Sequence, residues 1–314
     1  MTGPTLSIVI PIYNESANFA ELMRRLKASL TGLEVAPEII LVDDGSTDGT
    51  LDLIREYAGH DKMVRFVSLS RNFGHQIAIS AGLDRASGDG VVIMDGDLQD
   101  PPELLPELVA KWREGWDVVY AVKKSRKEGL LFRMCCFLFY RFIQLTADVP
   151  IPLDSGNFCL IDRKVANILR SMHERNRYIP GIRAWSGFRQ TALPFDREKR
   201  YAGKPTFGPR RLVRLAADGL TSFSDFPLRL CGYLGYGMAF FSVLGLAYGL
   251  VGKLFFSAPF GWTSTIMAIF FIGGVQLIML SIVGSYVGRI YTEVKHRPLY
   301  IVKETGNFDS VASS

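Results

Sequence analysis

Cysteine and histidine are scarce in this chain, and neither is grouped for chemistry. The four cysteines, Cys135, Cys136, Cys159 and Cys231, show no metal-ligand spacing, and a vicinal pair is poor disulfide material. Structural thiols in a reducing compartment are therefore expected. His60, His75, His173 and His296 are the four histidines, and their scatter offers no zinc motif or His-based triad. Charge is almost missing from residues 230–288, where Lys253 stands alone. The net charge is a modest +5 and no RNA- or DNA-reading motif accompanies it, so no nucleic-acid partner is expected. The opening MTGPTLSIVIPIYNES lacks a basic n-region and a cleavage site, so its apolar run reads as a strand rather than a signal peptide. No internal repeat is visible.

What is present divides the 314 residues unevenly. The hydrophobic fraction is 48% and the mean hydropathy +0.16, high for a soluble protein. Residues 1–225 alternate apolar and charged segments, as a globular domain does. Leu230–Gly252 is then 23 uncharged residues, and Leu254–Gly288 a further 35 interrupted by SAPFGWTS. Each is long enough to cross about 30 Å of hydrocarbon as a helix. Arg197–Arg214 carries seven Lys/Arg against one Glu before the first run, and Arg289, Lys295, His296 and Arg297 follow the second. That distribution predicts a membrane hairpin with both ends cytoplasmic, in the inner membrane if the source is bacterial. Its glycines suit close helix packing and leave room for a homo-oligomer, a tetramer included.

The first 125 residues repeat strand, turn, helix. Strands are expected at Leu6–Ile12, Ile39–Val42, Val64–Leu69, Val91–Met94 and Val118–Ala121. Helices are expected at Ala17–Leu30, Leu51–Tyr57, Gln76–Arg85 and Glu103–Arg113. The alternation implies a mostly parallel, doubly wound sheet. Beyond it, Asp154–Asp162 reads as a loop entering a strand, Lys164–Met172 as a short helix and Thr191–Pro194 as an edge strand. The apolar Gly129–Leu145 stretch, with Arg133 and Arg141, reads as an amphipathic helix at a membrane interface.

The most telling stretch is VVIMDGDLQDPPE, Val91–Glu103. A buried strand ends in Asp95, Asp97 and Gln99 on a turn, and strand termini of open α/β sheets are where ligands bind. Hard oxygen ligands suit Mg²⁺ or Mn²⁺, and such an ion completes its shell with substrate phosphates. Two further strand ends face the same crevice, PIYNE at Pro11–Glu15 and DDGSTDGT at Asp43–Thr50. Taken singly, these are capped or strand-end turns as readily as ligand sites.

SIVIPIYNES, EIILVDDGSTDGT, LSRNFGHQIAISAGL and VVIMDGDLQDPPEL, in this order and spacing, resemble the family 2 glycosyltransferases of the GT-A fold. The C-terminal hairpin narrows the resemblance to polyisoprenyl-phosphate glycosyltransferases, similar to bactoprenol glucosyltransferase and dolichol-phosphate mannose synthase. The resemblance implies a GT-A nucleotide-sugar-binding domain over 1–210, with an interfacial helix at 129–146 and a mobile basic loop at 197–208. A juxtamembrane segment (209–229), transmembrane helices at 230–256 and 264–288, and a cytoplasmic tail (289–314) complete the expected layout. It implies a UDP-linked sugar donor, Mg²⁺ or Mn²⁺, a polyprenyl phosphate acceptor and a lipid bilayer as partners. Pro11, Tyr13, Glu15, Asp43, Asp44 and Asp95 then line the nucleotide pocket, and Asp95, Asp97 and Gln99 hold the metal. Arg126 and Arg133 match arginines that hold the lipid phosphate, and Arg200, Tyr201 and Lys204 match the loop that closes over the diphosphate. Asp97, Asp154 and Arg200 are the expected catalytic group, with Asp154 as base or acceptor guide. Arg71–Gln76 lies where donor phosphates or ribose pass, although helix capping explains it equally. Asp162 and Arg163 read as structural.

The implied reaction is an inverting transfer, with glucose from UDP-glucose the first choice of sugar. Mannose, 4-amino-4-deoxy-arabinose derivatives and N-acetylhexosamines follow. A processive polysaccharide synthase shares the fold, but its Gln-x-x-Arg-Trp signature is absent, Trp185 being preceded by GIRA. A silent membrane scaffold is argued against by the intact acidic and basic motifs.

Overall fold

A computed structural model describes residues 4–123, 155–175, 177–195 and 262–308, with scattered residues of 228–245. Contacts divide the chain into two compact units. The first holds Met1–Tyr140, Val149–Thr206 and Arg297–Ser314, and the second Arg141–Asp148 with Phe207–His296.

The first unit is built on one eight-stranded sheet. Its strands are β1 (Thr5–Ile12), β2 (Ala36–Asp43), β3 (Val64–Leu69), β4 (Gly90–Ile93), β5 (Val118–Lys123), β6 (Ser155–Asp162), β7 (Gln190–Phe195) and β8 (Val302–Gly306). The spatial order is β7-β5-β6-β4-β1-β2-β3-β8. The pairs among β4, β1, β2 and β3 are parallel, as crossover helices require, and so is β5 with β7. The sheet is mostly parallel, as expected, but mixed: β6 runs antiparallel between β4 and β5, and β8 antiparallel to β3.

The strands read as apolar runs because both faces are covered. On β1, Leu6, Ile8, Ile10 and Ile12 enter one core, beneath helices α1 (Ser16–Leu30), α2 (Thr50–His60) and α4 (Leu105–Arg113). Val9 enters the other, beneath α3 (His75–Arg85), α5 (Arg163–Ser171) and α6 (Ile179–Trp185). Helix α1 shows how sequence makes this packing. Phe19, Leu22, Met23 and Leu26 recur at helical spacing and are all buried, each contributing roughly 1.5–3 kcal/mol over exposure. Expected and observed elements agree within a few residues throughout the first 123. Of the later expectations, β6 occupies nearly all of the 154–162 stretch, α5 covers 163–171, and β7 is an edge strand.

Two elements were not foreseen. Helix α6 is one. The other is β8, which draws the tail back onto β3. Asn307 Nδ2 donates to the carbonyls of Ala58 (2.6 Å) and Val64 (2.8 Å), Arg55 pairs with Glu304 (2.6 Å), and Tyr300 Oη donates to Asp84 (2.7 Å). The Phe308 ring lies between the guanidiniums of Arg65 and Arg85, at 5.6 and 5.5 Å.

In the second unit, α7 (Trp262–Val294) is one continuous helix that runs six residues beyond the expected end at Gly288. Its Phe271–Val294 segment has a mean hydropathy of 1.7 and is long and apolar enough to cross a membrane, at about 1.5 Å rise per residue. Most of the expected first span, 230–256, lies outside the described residues, as do the 129–146 helix, the 197–208 loop and nearly all of 209–229.

Candidate active site

Three loops leave the carboxyl ends of β1, β2 and β4 side by side, and hydrogen bonds sew the first two together. Asn14, left-handed at φ +54°, is held there by both ends of the residue. Its amide donates to Ser46 Oγ (3.0 Å) and its Oδ1 accepts from the Thr47 amide (2.8 Å). Glu15 N–H donates to Thr50 Oγ1 (3.0 Å) and Ser16 N–H to Asp48 (3.1 Å). Burial alone would raise the Asp48 pKa, but donors from Thr50 and Ser16 prevail and bring it down to about 2. This stitching leaves Pro11 buried and Tyr13 standing out at the strand end, 45% exposed.

Asp43 and Asp44 are buried, and their oxygens serve the protein itself. Asp43 accepts from Ser46 N–H (3.1 Å) and Ser68 Oγ (2.9 Å). Asp44 accepts from the amides of Phe73 (2.7 Å) and Gly74 (3.0 Å), one on each oxygen. Burial raises the Asp44 pKa, and these two amides oppose it. Gly45 sits at φ +73°, where a Cβ would stand 2.5 Å from the Arg71 carbonyl carbon. Only glycine permits this backbone-to-backbone contact between the loops after β2 and β3. The two aspartates thus shape the wall of the crevice. Each oxygen keeps a second lone pair for a ligand.

The acidic turn follows β4, whose continuation is paired to β1 through Met94 N–H and Val9 O (3.1 Å). Asp95, Asp97 and Gln99 are half-buried, while Gly96 and Leu98 between them and Asp100 after them are buried. Leu98 is left-handed (φ +61°) and only 1% exposed, so core burial of its side chain offsets the backbone strain. Gln99 N–H donates to Asp97 Oδ1 (3.1 Å), and Asp95 N–H to the buried Asp100 (3.2 Å). The three predicted metal residues are thus the less buried positions of this turn.

A chain of polar contacts unforeseen from sequence reaches this turn. Ile179 N–H donates to Gln76 Oε1 (2.9 Å), and Gln76 Nε2 to Asn157 Oδ1 (3.1 Å). Asn157 Nδ2 lies 3.0 Å from His75 Nε2, which lies 3.1 Å from Asp95 Oδ1. In the neutral ring Nε2 accepts from Asn157; once protonated, His75 pairs with Asp95. Burial opposes the charged ring, but Asp95, Asp100 and Asp44 outweigh it and hold the His75 pKa above its ordinary value. Asp95 Oδ1 itself is buried and accepts no aligned hydrogen bond. Arg71 is exposed, with its guanidinium 4.0 Å from the Phe73 ring.

Among the described residues no three His, Cys, Asp or Glu side chains gather into a self-sufficient metal cage. Two carboxylates and an amide with an undonated oxygen nevertheless fit Mg²⁺ or Mn²⁺, which takes its remaining ligands from phosphate and water. Asp162 and Arg163 are structural, as expected: Asp162 accepts from Lys164 N–H (3.0 Å) and Trp112 Nε1 (3.0 Å), and Arg163 donates to Gly88 O (3.0 Å). Arg126, Arg133, Asp154, Arg200, Tyr201 and Lys204 lie outside the described residues.

The sequence pattern described as Glycosyl transferase family 2 matches residues 7–169. Glycosyltransferase sll0501 of Synechocystis is 46% identical over 305 residues, covering 95% of each chain. The SfII prophage-derived bactoprenol glucosyl transferase of Shigella flexneri is 38% identical, across 96% of this chain and 98% of that one. Among solved structures, mannosyl-3-phosphoglycerate synthase from Rubrobacter xylanophilus is 19% identical and covers 69% of this chain and 72% of its own, with a TM-score of 0.47.

Proposed function

The chain belongs to glycosyl transferase family 2 and is a glycosyltransferase, and on that premise we propose a specific reaction for it. It transfers glucose from UDP-glucose to a polyprenyl phosphate of the undecaprenyl type, with inversion, at the cytoplasmic face of a membrane. The observation that carries the donor side is the turn after β4, which leaves Asp95, Asp97 and Gln99 half-buried beside the ends of β1 and β2. The acceptor and sugar are read from full-length relatives named bactoprenol glucosyl transferases. The apolar α7 supports a membrane setting.

The nucleotide lies along Pro11, Tyr13 and Glu15, in the crevice that Asp43 and Asp44 shape. Asp95, Asp97 and Gln99 hold Mg²⁺ or Mn²⁺, which when bound offsets charge on the diphosphate. Arg126 and Arg133 hold the lipid phosphate through guanidinium forks, and Asp154 orients the acceptor. A phosphate monoester is largely ionised at neutral pH, its second pKa being about 6, so its oxygen attacks the anomeric carbon without a strong base. UDP leaves with added charge, over which Arg200, Tyr201 and Lys204 close.

The test incubates membranes bearing the full chain with labelled UDP-glucose, GDP-mannose, UDP-N-acetylglucosamine and a UDP-4-amino-4-deoxy-arabinose derivative, with and without undecaprenyl phosphate. Label is expected in a lipid-phosphate product from UDP-glucose, to be lost on chelation and restored by Mg²⁺ or Mn²⁺. Transfer from another donor alone would reassign the sugar. Label in long polysaccharide, or UDP release without lipid phosphate, would overturn the acceptor.

A further inference from the structure

The chain downstream of α7 does more than close a sheet edge. Residues 297–308 begin three positions after the helix ends at Val294 and are fastened to the sheet unit at several points. The Arg175 guanidinium donates to the Arg297 carbonyl, and the half-buried Tyr300 donates through Oη to Asp84 on α3 (2.7 Å). Ile301 O accepts from Ser70 N–H (2.9 Å), and Val302–Gly306 pairs with β3. Tyr300, Val302 and Phe308 pack against the same core as Phe73. Burial and the Asp84 charge push the Tyr300 hydroxyl above its ordinary pKa, so it remains a donor.

Two of these contacts bracket the segment that walls the donor crevice. Ser70 is the first residue after β3, and the loop it opens ends where α3 begins at His75. That loop presents the Phe73 and Gly74 amides to Asp44 and lays its Arg71 backbone against Gly45. It also delivers His75 to 3.1 Å from Asp95. Ile301 therefore holds the loop at its start, and Tyr300 holds α3 near its end, at Asp84. Asp44 grips the same loop from the crevice side. The ladder between β3 and β8 is irregular at Ser68–Leu69, so the Ser70–Ile301 bond fixes where the loop departs. Without the tail, β3 would be the sheet edge and the Ser70 amide would turn to water.

We infer that Tyr300 and Ile301 are positioning residues for the donor-side loop, and that docking of this strap and binding of the nucleotide favour each other. The inference rests on the proposed transferase reading, which puts the nucleotide in the crevice that Asp44 shapes and the metal at Asp95. Both sides of the coupling run through residues 70–76. Ordering that loop is a cost the strap and the nucleotide share, so whichever is in place reduces it for the other. Linkage makes the coupling reciprocal: the factor by which the docked strap tightens nucleotide binding is the factor by which nucleotide tightens docking.

The experiment uses full chains in nanodiscs: wild type, Tyr300→Phe, which loses only the hydroxyl, and Tyr300→Glu, whose carboxylate opposes Asp84. Hydrogen exchange of peptides 70–76, 190–195 and 298–308 is followed with and without UDP and Mg²⁺, alongside UDP affinity, kcat and KM for donor and acceptor. In wild type the nucleotide should slow exchange in 70–76 and 298–308 and leave 190–195, at the opposite sheet edge, unchanged. Y300E should free the strap and quicken exchange of 70–76. Its Kd for UDP and its donor KM should rise roughly ten-fold, about the worth of one hydrogen bond to the loop, with kcat and acceptor KM held. The rise in Kd should equal the factor by which UDP slows the wild-type strap. Y300F should quicken strap exchange roughly three- to ten-fold and raise donor KM less than Y300E does. A wild-type strap whose exchange ignores UDP while 70–76 slows overturns the inference, as does a folded Y300E with the donor KM of wild type. Equal losses in kcat and both KM values also overturn it, because the strap then serves only the fold. If Y300E fails to fold, exchange of the wild-type strap with and without UDP decides alone. Wild-type protein that neither binds UDP nor transfers sugar would remove the transferase reading itself, an outcome distinct from one that binds UDP with its strap unaffected.

Discussion

Replacing Asp44 by Asn changes one atom of a buried side chain, and the structure makes that change costly. The carboxylate offers one oxygen to Phe73 N–H at 2.7 Å and the other to Gly74 N–H at 3.0 Å. Asparagine keeps the shape but presents one oxygen and one NH₂ group, so one backbone amide must face a donor. A hydrogen bond to a charged acceptor is lost, worth about 1.5–3 kcal/mol, and a buried amide goes unsatisfied, costing about 1–3 kcal/mol more. Burial of the charge, the first cause of the raised Asp44 pKa, is relieved in the neutral variant and offsets part of this. The net expectation is about 2–4 kcal/mol, centred on the loop before α3. Hydrogen exchange of the peptide spanning 70–76 should therefore quicken by roughly thirty- to several-hundred-fold. The KM for nucleotide sugar should rise as the wall loosens. Gly45→Ala supplies the control, because it disturbs the same loop contact from the other side and leaves the carboxylate intact. If D44N raised KM without faster exchange, while G45A left KM unchanged, Asp44 would be a ligand for the donor and not a clamp on the loop.

Other loops and the tail carry expectations of the same kind. G45A meets both a left-handed backbone and the Arg71 backbone, so it should destabilise by at least the 1–2 kcal/mol of the first effect alone, read as a lowered unfolding midpoint. Asn307→Ala should cost about 2 kcal/mol for two well-formed hydrogen bonds. Glu304→Ala, losing a half-exposed ion pair, should cost under about 1 kcal/mol; an equal effect in the two unfolding curves would refute this ranking. The His75 pKa is raised, so its contribution is full below the ordinary imidazole value of about 6.5 and fades as pH rises through the folded value. His75→Gln should flatten the decline of the unfolding temperature above that pH. Asp48, held at about 2, contributes above its ordinary 3.8 and fades as pH falls towards 2. Asp48→Asn should flatten the acid limb over that interval.

Much of the fold and site was legible because the relevant signals are local. A strand covered on both faces must be an apolar run, and a loop that stops it with Asp, Gly, Ser or Asn announces a strand end. The acidic turn needed only VVIMDGDLQ, because an apolar run stopped by Asp-Gly-Asp marks the end of a buried strand, where ligands bind. What escaped depends on distant partners. Helix α6, spelled IPGIRAW, carries Pro and Gly and no clear amphipathic period; burial of Ile179 and Ile182 against the second core is what stabilises it. The His75–Asn157 contact joins residues 82 apart, and neither residue type names the other.

Strand β8 shows the limit most clearly. VKETG alternates half-buried and exposed positions on a sheet edge, so it lacks the apolar signal that betrayed β1 to β5. Its charges are what an edge strand requires to discourage further pairing, and that same polarity makes it read as a solvated tail. Gly306 completes the fit: a Cβ there would come 2.1 Å from the Phe66 ring, so the smallest residue lets the strand lie flat across a core aromatic. The apolar helix α7 is thus followed directly by a segment folded into the sheet unit that also carries residues 4–123. Loosening β8 through Asn307 then tests whether holding the tail matters to transfer as well as to stability.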